Sequence, residues 1–222
     1  MLTRFAPSPT GELHLGHAYS AVLAHEAGRA AEGRFLIRID DIDGSRSREE
    51  YVAASLADLA WLGIEWDGEP VRQSARLGDY AAALETLRDR GLVYPCFCTR
   101  ADIAASLSAP HGPSGAIYPG TCRHLSDAER ARRIGAEPHC WRLDTARSLA
   151  EAGELMWEEV GQGRRVADPL AHGDIVLARK DAPASYHLAS TLDDAMMGVT
   201  HVIRGDLIAS TDVHRLLQAL LG

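Results

Sequence analysis

The first ninety residues alternate between short apolar runs and longer segments in which apolar residues recur at helical spacing. The short runs, Thr3 to Ala6 and Arg34 to Ile39, are typical of buried strands. Helical spacing extends from Leu15 to Ala31, from Ser47 to Leu62 and from Arg76 to Arg90. This alternation predicts an α/β fold with a doubly wound parallel sheet, whose ligands bind beyond the carboxyl ends of the strands.

A glycine follows each of the three predicted helices. These glycines are Gly33, Gly63 and Gly91. Because glycine enters the left-handed conformation that closes many helices, the three positions predict where the helices end.

The pattern changes between Tyr94 and about Val166, where prolines and glycines are frequent. This stretch indicates an inserted, loop-rich subdomain. Strand-like patterns return at Asp174 to Arg179 and at Val199 to Arg204, and we expect both to extend the same sheet. The predicted organisation is a first half of the core over residues 1–94, an insertion over 95–165 and a second half over 166–222.

The net charge and the lengths of the apolar runs limit the classes of function that the protein can have. The net charge is -8, which disfavours indiscriminate binding to nucleic acid but permits selective RNA contact through a local basic face. Arg123, Arg130, Arg132 and Arg133 are candidates for such a face. No apolar run approaches the roughly 20 residues of a membrane helix, and no secretory leader is recognisable, so we expect a cytoplasmic protein.

Three cysteines are spaced like the ligands of a metal. Cys96 and Cys98 form a Cys-x-Cys pair, and Cys122 follows beyond a loop rich in proline and glycine. Tyr118 and His124 are both near enough in sequence to supply a fourth ligand. In a reducing compartment this pattern predicts a closed, structural zinc site, and buried free thiols are the alternative.

The segment His14-Leu15-Gly16-His17 places two imidazoles three residues apart where a helix is predicted to begin. The two rings therefore share one face, and Gly16 lets a ligand approach the backbone. A helix N-terminus flanked by imidazole donors favours an anion such as a triphosphate. A motif this short also occurs by chance.

Longer motifs surround these histidines and extend over nearly the whole chain. In order they are Arg4-Phe5-Ala6-Pro7-Ser8-Pro9-Thr10-Gly11, Arg38-Ile39-Asp40-Asp41-Ile42-Asp43, Gln73-Ser74, Tyr94-Pro95-Cys96-Phe97-Cys98, Tyr118-Pro119-Gly120-Thr121-Cys122-Arg123, Gly173-Asp174, Tyr186-His187-Leu188-Ala189, Asp193-Asp194 and Met197 to Gly205. Together with the two histidines they resemble the glutamate branch of the class I aminoacyl-tRNA synthetases. Within that branch they are most similar to the short glutamyl-queuosine tRNA(Asp) synthetases, which lack an anticodon-binding domain.

The resemblance implies a fold and a reaction. The fold is the Rossmann-like catalytic core of class I synthetases with a small zinc-bearing insertion. The reaction is activation of L-glutamate by ATP, with Mg²⁺, and transfer of the glutamyl group to the queuosine base in the anticodon of tRNA(Asp). We also expect a monomer without membrane association.

The resemblance also implies roles for individual residues. The residues implied to bind ATP are Ala6, Ser8, His14, Gly16 and His17, and the two histidines are implied to be catalytic. The residues implied to bind glutamate are Arg4, Ser8, Asp40, Tyr186 and Arg204. The two arginines would pair with the carboxylates of glutamate, and Asp40 would face its ammonium group. The family usually has glutamate where this chain has Asp40, so the carboxylate here is one methylene shorter.

For the metal, the resemblance favours Cys96, Cys98, Tyr118 and Cys122, whereas full glutamyl-tRNA synthetases often have a Cys-x-His that Cys122 and His124 would match. Cys140, next to Trp141, has no partner at metal-ligand spacing, and we expect it to be a small buried residue.

One class I signature is missing. The lysine-rich loop that closes over the triphosphate is not in this sequence, whose only lysine is Lys180, and we expect the sequence to belong to a longer chain. Two alternatives stay open: the catalytic piece of an ordinary glutamyl-tRNA synthetase, and a non-catalytic zinc-bearing module that binds nucleotide or tRNA. Ordinary glutamyl-tRNA synthetases need their tRNA to activate glutamate, which separates the first alternative from the queuosine enzyme.

Overall fold

The computed structural model describes residues 1–105, 111–112 and 115–222. These residues form two units, which are described separately. The first comprises Met1–Leu77 and Leu192–Ile208, and the second comprises Gly78–Thr191 and Ala209–Gly222.

The first unit is built on a parallel sheet. Its elements are β1 (Leu2–Phe5), α1 (Leu15–Ala30), β2 (Arg34–Ile39), α2 (Glu49–Trp61), β3 (Val71–Arg72) and a 3-10 turn (Gln73–Arg76). The strand order is β1-β2-β3, and both pairings are parallel. The strand-helix alternation predicted for this region is confirmed, with helix ends within two residues of expectation.

Helix α1 packs closely against the sheet because its inner face consists of small residues. Ala21, Ala24 and Gly28 are its buried positions. A side chain at Gly28 would come within 2.7 Å of the Thr3 hydroxyl, which itself donates to the Ala24 carbonyl at 2.7 Å. Strand β2 is buried at all but two of its six positions, as expected of a strand covered on both faces.

The glycine boundaries predicted for α2 and the next helix are also confirmed. Gly63 and Gly91 have φ values of +75° and +66°, a left-handed conformation that other residues adopt at a cost. The one predicted for α1 is wrong, because the residue in the left-handed conformation there is Glu32, with φ of +50°, and not Gly33.

The prediction of a strand at Val199 to Arg204 is wrong. The structure gives this segment no strand, although the backbone N–H groups of Thr200 and His201 both donate to the Leu2 carbonyl. The Thr200 hydroxyl accepts the N–H of Leu2 at 2.8 Å. Because a side chain takes the place of a backbone acceptor, the segment is held at the edge of β1 without forming a ladder.

The second unit has an antiparallel sheet of order β10-β7-β4. Its strands and helices are α3 (Leu77–Asp89), β4 (Val93–Cys96), α4 (Arg100–Ala105), β5 (His111–Gly112), β6 (Gly115–Ala116), α5 (Asp127–Ile134), β7 (Cys140–Leu143), α6 (Thr145–Ala152), β8 (Met156–Glu159), β9 (Gly163–Val166), β10 (Val176–Ala178), α7 (Tyr186–Met196) and α8 (Ser210–Leu221). Helix α7 continues from the second unit into the first.

The strand expected at Asp174 to Arg179 exists as β10, but it does not extend the parallel sheet. It pairs antiparallel with β7, whose other neighbour is β4. The region expected to be loop-rich is also more regular than predicted, because it holds α5, β7, α6 and the hairpin of β8 and β9. Within the described part of the chain, no helix has the length and apolar character needed to span a membrane.

Gly33 tests the contact between the start of the chain and the loop before β2. A Cβ atom there would overlap the Met1 carbonyl oxygen, which accepts the Arg34 N–H at 3.0 Å. We expect Gly33→Ala to destabilise the protein by about 1 to 3 kcal/mol, as overpacking does, measured as a shift of the urea midpoint.

Gly44→Ala is the matched control, because a Cβ atom at Gly44 would meet no atom within 4 Å beyond its chain neighbours. Its effect should stay within about 0.5 kcal/mol. Equal effects of the two substitutions would contradict the packing described for Gly33.

Candidate functional site

An arginine is fully enclosed at the carboxyl end of β2. Arg38 has no exposed surface. Its Nε and Nη2 donate to the two carboxylate oxygens of Asp40 at 2.6 and 3.2 Å, and its Nη1 donates to Asp194 Oδ1 at 2.7 Å. One buried cation therefore joins a residue just after β2 to a residue on α7.

Arg4 on β1 is bound to the same carboxylate of α7. Its Nε and Nη2 donate to Asp194 Oδ1 and Oδ2 at 2.9 and 3.0 Å, and both side chains are buried. Burial alone would raise the pKa of Asp194, but the charges of Arg4, Arg38 and Arg204 bring that pKa below its usual range. Arg4, predicted for glutamate, is thus bound to Asp194, and Arg204, the second arginine predicted for glutamate, contributes through its charge to the lowered pKa of the same carboxylate.

Asp40 also lies in this group of charges. Burial raises the pKa of Asp40, and the charge of Arg38 opposes that rise. The neighbouring Asp193 accepts from Gln73 at 2.7 Å and from Arg76 at 2.8 Å. Asp40 and Arg4, both predicted for glutamate, are therefore connected through Arg38 and Asp194, within a network that the predicted roles did not include.

The loop after β1 lies beside Asp40 because parallel neighbouring strands end at the same edge of a sheet. The Asp40 N–H donates to the Pro7 carbonyl at 2.9 Å, and the Arg48 N–H donates to the Pro9 carbonyl at 3.0 Å. Ser8, between these two anchors, is exposed, and Ala6 is partly exposed. Both predicted loop residues are thus accessible to a ligand at this edge.

His14 and His17 form a stacked pair at the start of α1. Their ring centroids are 3.7 Å apart with an interplanar angle of 22°. His14 Nδ1 accepts the Gly16 N–H at 3.1 Å, and His17 Nδ1 accepts the His14 N–H at 3.3 Å. This reciprocal capping box explains why the helix begins at Leu15.

The capping bonds also determine which ring nitrogens can act on a ligand. Because each Nδ1 accepts a backbone N–H, a neutral ring holds its proton on Nε2, where it can be donated. Burial, followed by the charge of His14, lowers the pKa of His17. Two imidazole N–H donors at a helix N-terminus are suited to phosphate oxygens.

Tyr186 belongs to the second unit, at the first position of α7. It is 42% exposed, and the centroid of its ring lies 5.6 Å from the ring centroids of both His187 and His214. His187 Nδ1 and His214 Nε2 are themselves 3.2 Å apart.

The second unit contains the predicted cluster of thiols. The sulfur atoms of Cys96, Cys98 and Cys122 all lie within 4.8 Å of one another. The Cys98 and Cys122 sulfurs are 3.6 Å apart, and the Tyr118 hydroxyl is 3.7 Å from Cys98 Sγ. Three thiols and a phenol converging at these distances are suited to a tetrahedral metal such as zinc.

The surroundings of the cluster favour Tyr118 over His124. Tyr118 is buried, and its hydroxyl accepts the backbone N–H of Cys122 at 2.7 Å. His124 is exposed and is not part of the convergent group. Cys140, expected to be a small buried residue, is buried on β7 opposite Cys96.

The thiols differ in their tendency to ionise. A hydrogen bond from the Cys140 thiol holds the pKa of Cys96 well below its usual range, against the effect of burial. Burial raises the pKa of Cys98. A lowered pKa at Cys96 is consistent with metal binding, since the thiolate is the ligand form.

The arginines expected to face RNA are engaged with the protein. Arg123 pairs with Asp174 at 3.2 Å, and the α5 arginines pair with acidic residues of their own helix or just beyond it. An RNA-facing role for this patch stays a prediction.

Arg38 and Asp194 belong to the network although the motifs assigned neither of them a role. A signal was present, because Arg38 interrupts the otherwise apolar run from Phe35 to Ile39. A charge within a buried strand requires a buried partner of opposite charge. The sequence could not specify that this partner comes from 156 residues further along the chain.

Comparison with known proteins identifies related chains. Residues 1–222 match the family model described as the catalytic domain of class I tRNA synthetases (E and Q). A glutamyl-Q tRNA(Asp) synthetase of Rhodobacter capsulatus is 50% identical over 235 residues, covering 100% of this chain and 83% of the relative. A glutamate–tRNA ligase 2 of Erythrobacter litoralis is 44% identical, covering 95% of this chain and 46% of the relative.

A solved structure is similar as well. The glutamate tRNA ligase of Elizabethkingia meningosepticum, crystallised in complex with its amino acid, superposes with a TM-score of 0.79 at 26% identity. The similarity covers 100% of this chain and 47% of the ligase.

Asp194 tests the buried charges of the first unit. We expect Asp194→Asn to destabilise the protein by about 3 kcal/mol or more at pH 7, because Arg4 and Arg38 would lose an ionised partner. Since folding lowers the pKa of Asp194, its contribution is present above the unfolded value of about 4 and is lost as the pH falls through the lower folded value. Urea unfolding of both proteins at a series of pH values measures this difference.

Glu49→Gln is the control, because Glu49 pairs with Arg72 in the same unit but is 73% exposed. It should cost less than about 1 kcal/mol. An Asp194→Asn effect that is equally small, or that grows on acidification, would contradict the description of this network.

Proposed function

The chain belongs to the class I tRNA synthetases of the glutamate and glutamine group, within the glutamyl-Q tRNA(Asp) synthetases, and we propose that it glutamylates tRNA. L-glutamate is first activated with ATP, and the glutamyl group is then transferred to the queuosine base in the anticodon of tRNA(Asp). The proposed setting is the cytoplasm, where tRNA is found and thiols stay reduced.

The proposal rests on one observation: the whole chain is 50% identical to a glutamyl-Q tRNA(Asp) synthetase along 83% of that relative's length. The geometry of the first unit is consistent with it. Arg4 and Arg38 bind the Asp194 carboxylate near the carboxyl edge of a parallel sheet, and two imidazole donors begin the helix that follows β1.

Glutamate binding uses opposite charges at the two ends of the amino acid. Arg4 and Arg204 pair with its carboxylates, which lets the site distinguish glutamate from the uncharged side chain of glutamine. Arg4 engages Asp194 through Nε and Nη2, so Nη1 is the nitrogen not engaged there. Asp40 faces the ammonium group, and Ser8 and Tyr186 orient the substrate.

In the first step, an oxygen of the glutamate α-carboxylate attacks the α-phosphorus of ATP. The bond from that phosphorus to the bridging oxygen breaks, and pyrophosphate leaves with the electron pair. No general base is needed, because the nucleophile is already an anion. His14 and His17 donate from Nε2 to phosphate oxygens as charge develops, with the backbone at Ala6 and Gly16 lining the nucleotide. Magnesium bound to ATP neutralises part of the triphosphate charge.

In the second step, a queuosine hydroxyl oxygen attacks the carbonyl carbon of the mixed anhydride. The bond between that carbon and the AMP oxygen breaks, the hydroxyl proton is released, and AMP leaves. The product is an ester between glutamate and the modified base.

The second unit would hold zinc through Cys96, Cys98, Cys122 and Tyr118. All four are protein ligands, so the metal would complete a closed structural site and would not activate water. What supports this assignment is the burial of Tyr118 beside the converging sulfurs.

The activity is tested by exchange of radiolabelled pyrophosphate into ATP without tRNA. We expect exchange with glutamate and none with glutamine or aspartate. His17→Ala should slow it by roughly 100- to 1,000-fold, because one donor to the developing charge is lost.

Transfer is then measured with labelled glutamate and two preparations of tRNA(Asp), with and without queuosine. Only the queuosine-containing tRNA should be labelled. Exchange that requires tRNA, with labelling of a glutamate tRNA, would favour an ordinary glutamyl-tRNA synthetase. Binding of ATP or tRNA with neither exchange nor transfer would favour a non-catalytic module.

The fourth metal ligand is tested with Tyr118→Phe and His124→Ala. We expect one zinc per chain, with Tyr118→Phe losing zinc to a chelator at concentrations roughly tenfold lower than wild type and His124→Ala unchanged. Chelation should also lower the midpoint of thermal unfolding. An unchanged midpoint would show that the metal has no structural role. If His124→Ala lost zinc more readily than wild type and Tyr118→Phe did not, the fourth ligand would be His124 and not Tyr118.

A further inference from the structure

We propose that Arg38 is a positioning residue that aligns both ends of the glutamate site, the acceptor of the ammonium group and the anchor of a carboxylate. This inference rests on the proposed function, because it deepens the account of how that site binds its amino acid. It assigns a role to a residue that does not contact the substrate.

Because Arg38 is buried, it can act on a ligand only indirectly. With no surface exposed, its guanidinium is enclosed by the protein and acts on a ligand only through other side chains. Asp40 and Asp194 accept its hydrogen bonds, and Asp193 lies at 3.7 Å. An enclosed cation of this kind is tolerated only where several carboxylates compensate its charge.

The first connection leads to the ammonium acceptor. Nε and Nη2 of Arg38 contact both oxygens of Asp40, which fixes the plane of that carboxylate. The backbone of Asp40 is held separately through its N–H bond to Pro7. With both the backbone and the side chain fixed, the remaining lone pairs of Asp40 have a defined direction.

The second connection leads to the carboxylate anchor. Nη1 of Arg38 donates to Asp194 Oδ1, and the same oxygen accepts Nε of Arg4. Arg38 and Arg4 therefore share one acceptor atom, and a displacement of Asp194 would displace Arg4 as well. Through these contacts a single guanidinium determines the relative placement of Asp40 and Arg4.

The arrangement requires arginine in particular. Three nitrogens of a rigid planar group are distributed over two carboxylates in fixed directions. Lysine would keep the positive charge but would offer a single nitrogen, which cannot reproduce the fork at Asp40 together with the bond to Asp194. Arg38→Lys therefore separates the geometry of Arg38 from its charge.

The experiment measures binding of two probes by isothermal titration calorimetry: L-glutamate, and glutarate, which has both carboxylates but no ammonium group. Asp40→Asn should weaken glutamate alone, because glutarate makes no use of the ammonium acceptor. Arg38→Lys should weaken both ligands by roughly 10- to 100-fold, because it disturbs Asp40 and, through Asp194, Arg4.

Arg76→Met is the matched control. It removes a largely buried cation from the same network, and its ion-pair partner at 2.8 Å is Asp193, which the proposal gives no part in binding either ligand. We expect it to lower thermal stability while both ligands bind within about twofold of wild type. This control distinguishes loss of a buried charge from loss of alignment.

Thermal unfolding confirms that each variant is folded at the temperature of the titration. If Arg38→Lys does not fold, Asp194→Asn replaces it, since that substitution interrupts the connection to Arg4 and leaves the contacts between Arg38 and Asp40. It should weaken glutarate as well as glutamate.

The outcomes separate the two levels of the proposal. A folded Arg38→Lys that binds both ligands as wild type does, or that weakens glutamate alone, would overturn the positioning role and leave the proposed function intact. A wild-type protein that binds neither ligand would overturn the proposed function, and this inference with it.

Discussion

The first unit is organised around the buried positive charge of Arg38. A guanidinium without solvent must be compensated within the protein, and here the compensation comes from Asp40 just after β2 and from Asp194 on α7. Because Asp194 also binds Arg4 on β1, the ion pairs attach the returning segment Leu192–Ile208 to the parallel sheet. The same ion pairs place charged groups at the sheet edge where ligands of such folds bind. The residues that stabilise the first unit are therefore the ones that we propose for substrate recognition.

The second unit is organised around a buried carboxylate, Asp174, and the neighbouring cluster of thiols. Asp174 accepts hydrogen bonds from the Tyr94 hydroxyl and the Thr145 N–H, which connects β4 to the start of α6. Beside it, Arg142 lies 4.0 Å from the centroid of the Tyr118 ring and donates to the Asp174 carbonyl. The thiol cluster is therefore supported by a cation and by an ordered strand, as is typical of sites whose ligands must be oriented before a metal binds. The apolar core around the cluster is small and includes the cysteines themselves.

The histidine pair illustrates a site that needs only local structure. Its two rings are oriented by backbone N–H groups of the same turn, so the helix start and the donor geometry arise together. The proposed glutamate site is different, because its charged groups come from β1, from the end of β2 and from α7. In the proposed function, the nucleotide contacts are therefore set by a short motif, whereas recognition of the amino acid requires segments distant in the chain to be brought together.

Features that depend on near neighbours in the chain could be predicted from the amino-acid sequence. These are the first three helices, the closing glycines Gly63 and Gly91, the strand β2, the two histidines at the start of α1 and the Cys-x-Cys pair, since each follows from periodicity, from a local φ requirement or from a motif. Three other features became visible only in the folded protein: the antiparallel pairing of β10 with β7, the replacement of a ladder bond by Thr200 at the edge of β1, and the compensation of Arg38 by Asp194. Sequence patterns record which residues are apolar or charged, but the partner of a buried charge is selected by packing between distant segments, whose contacts no local pattern specifies.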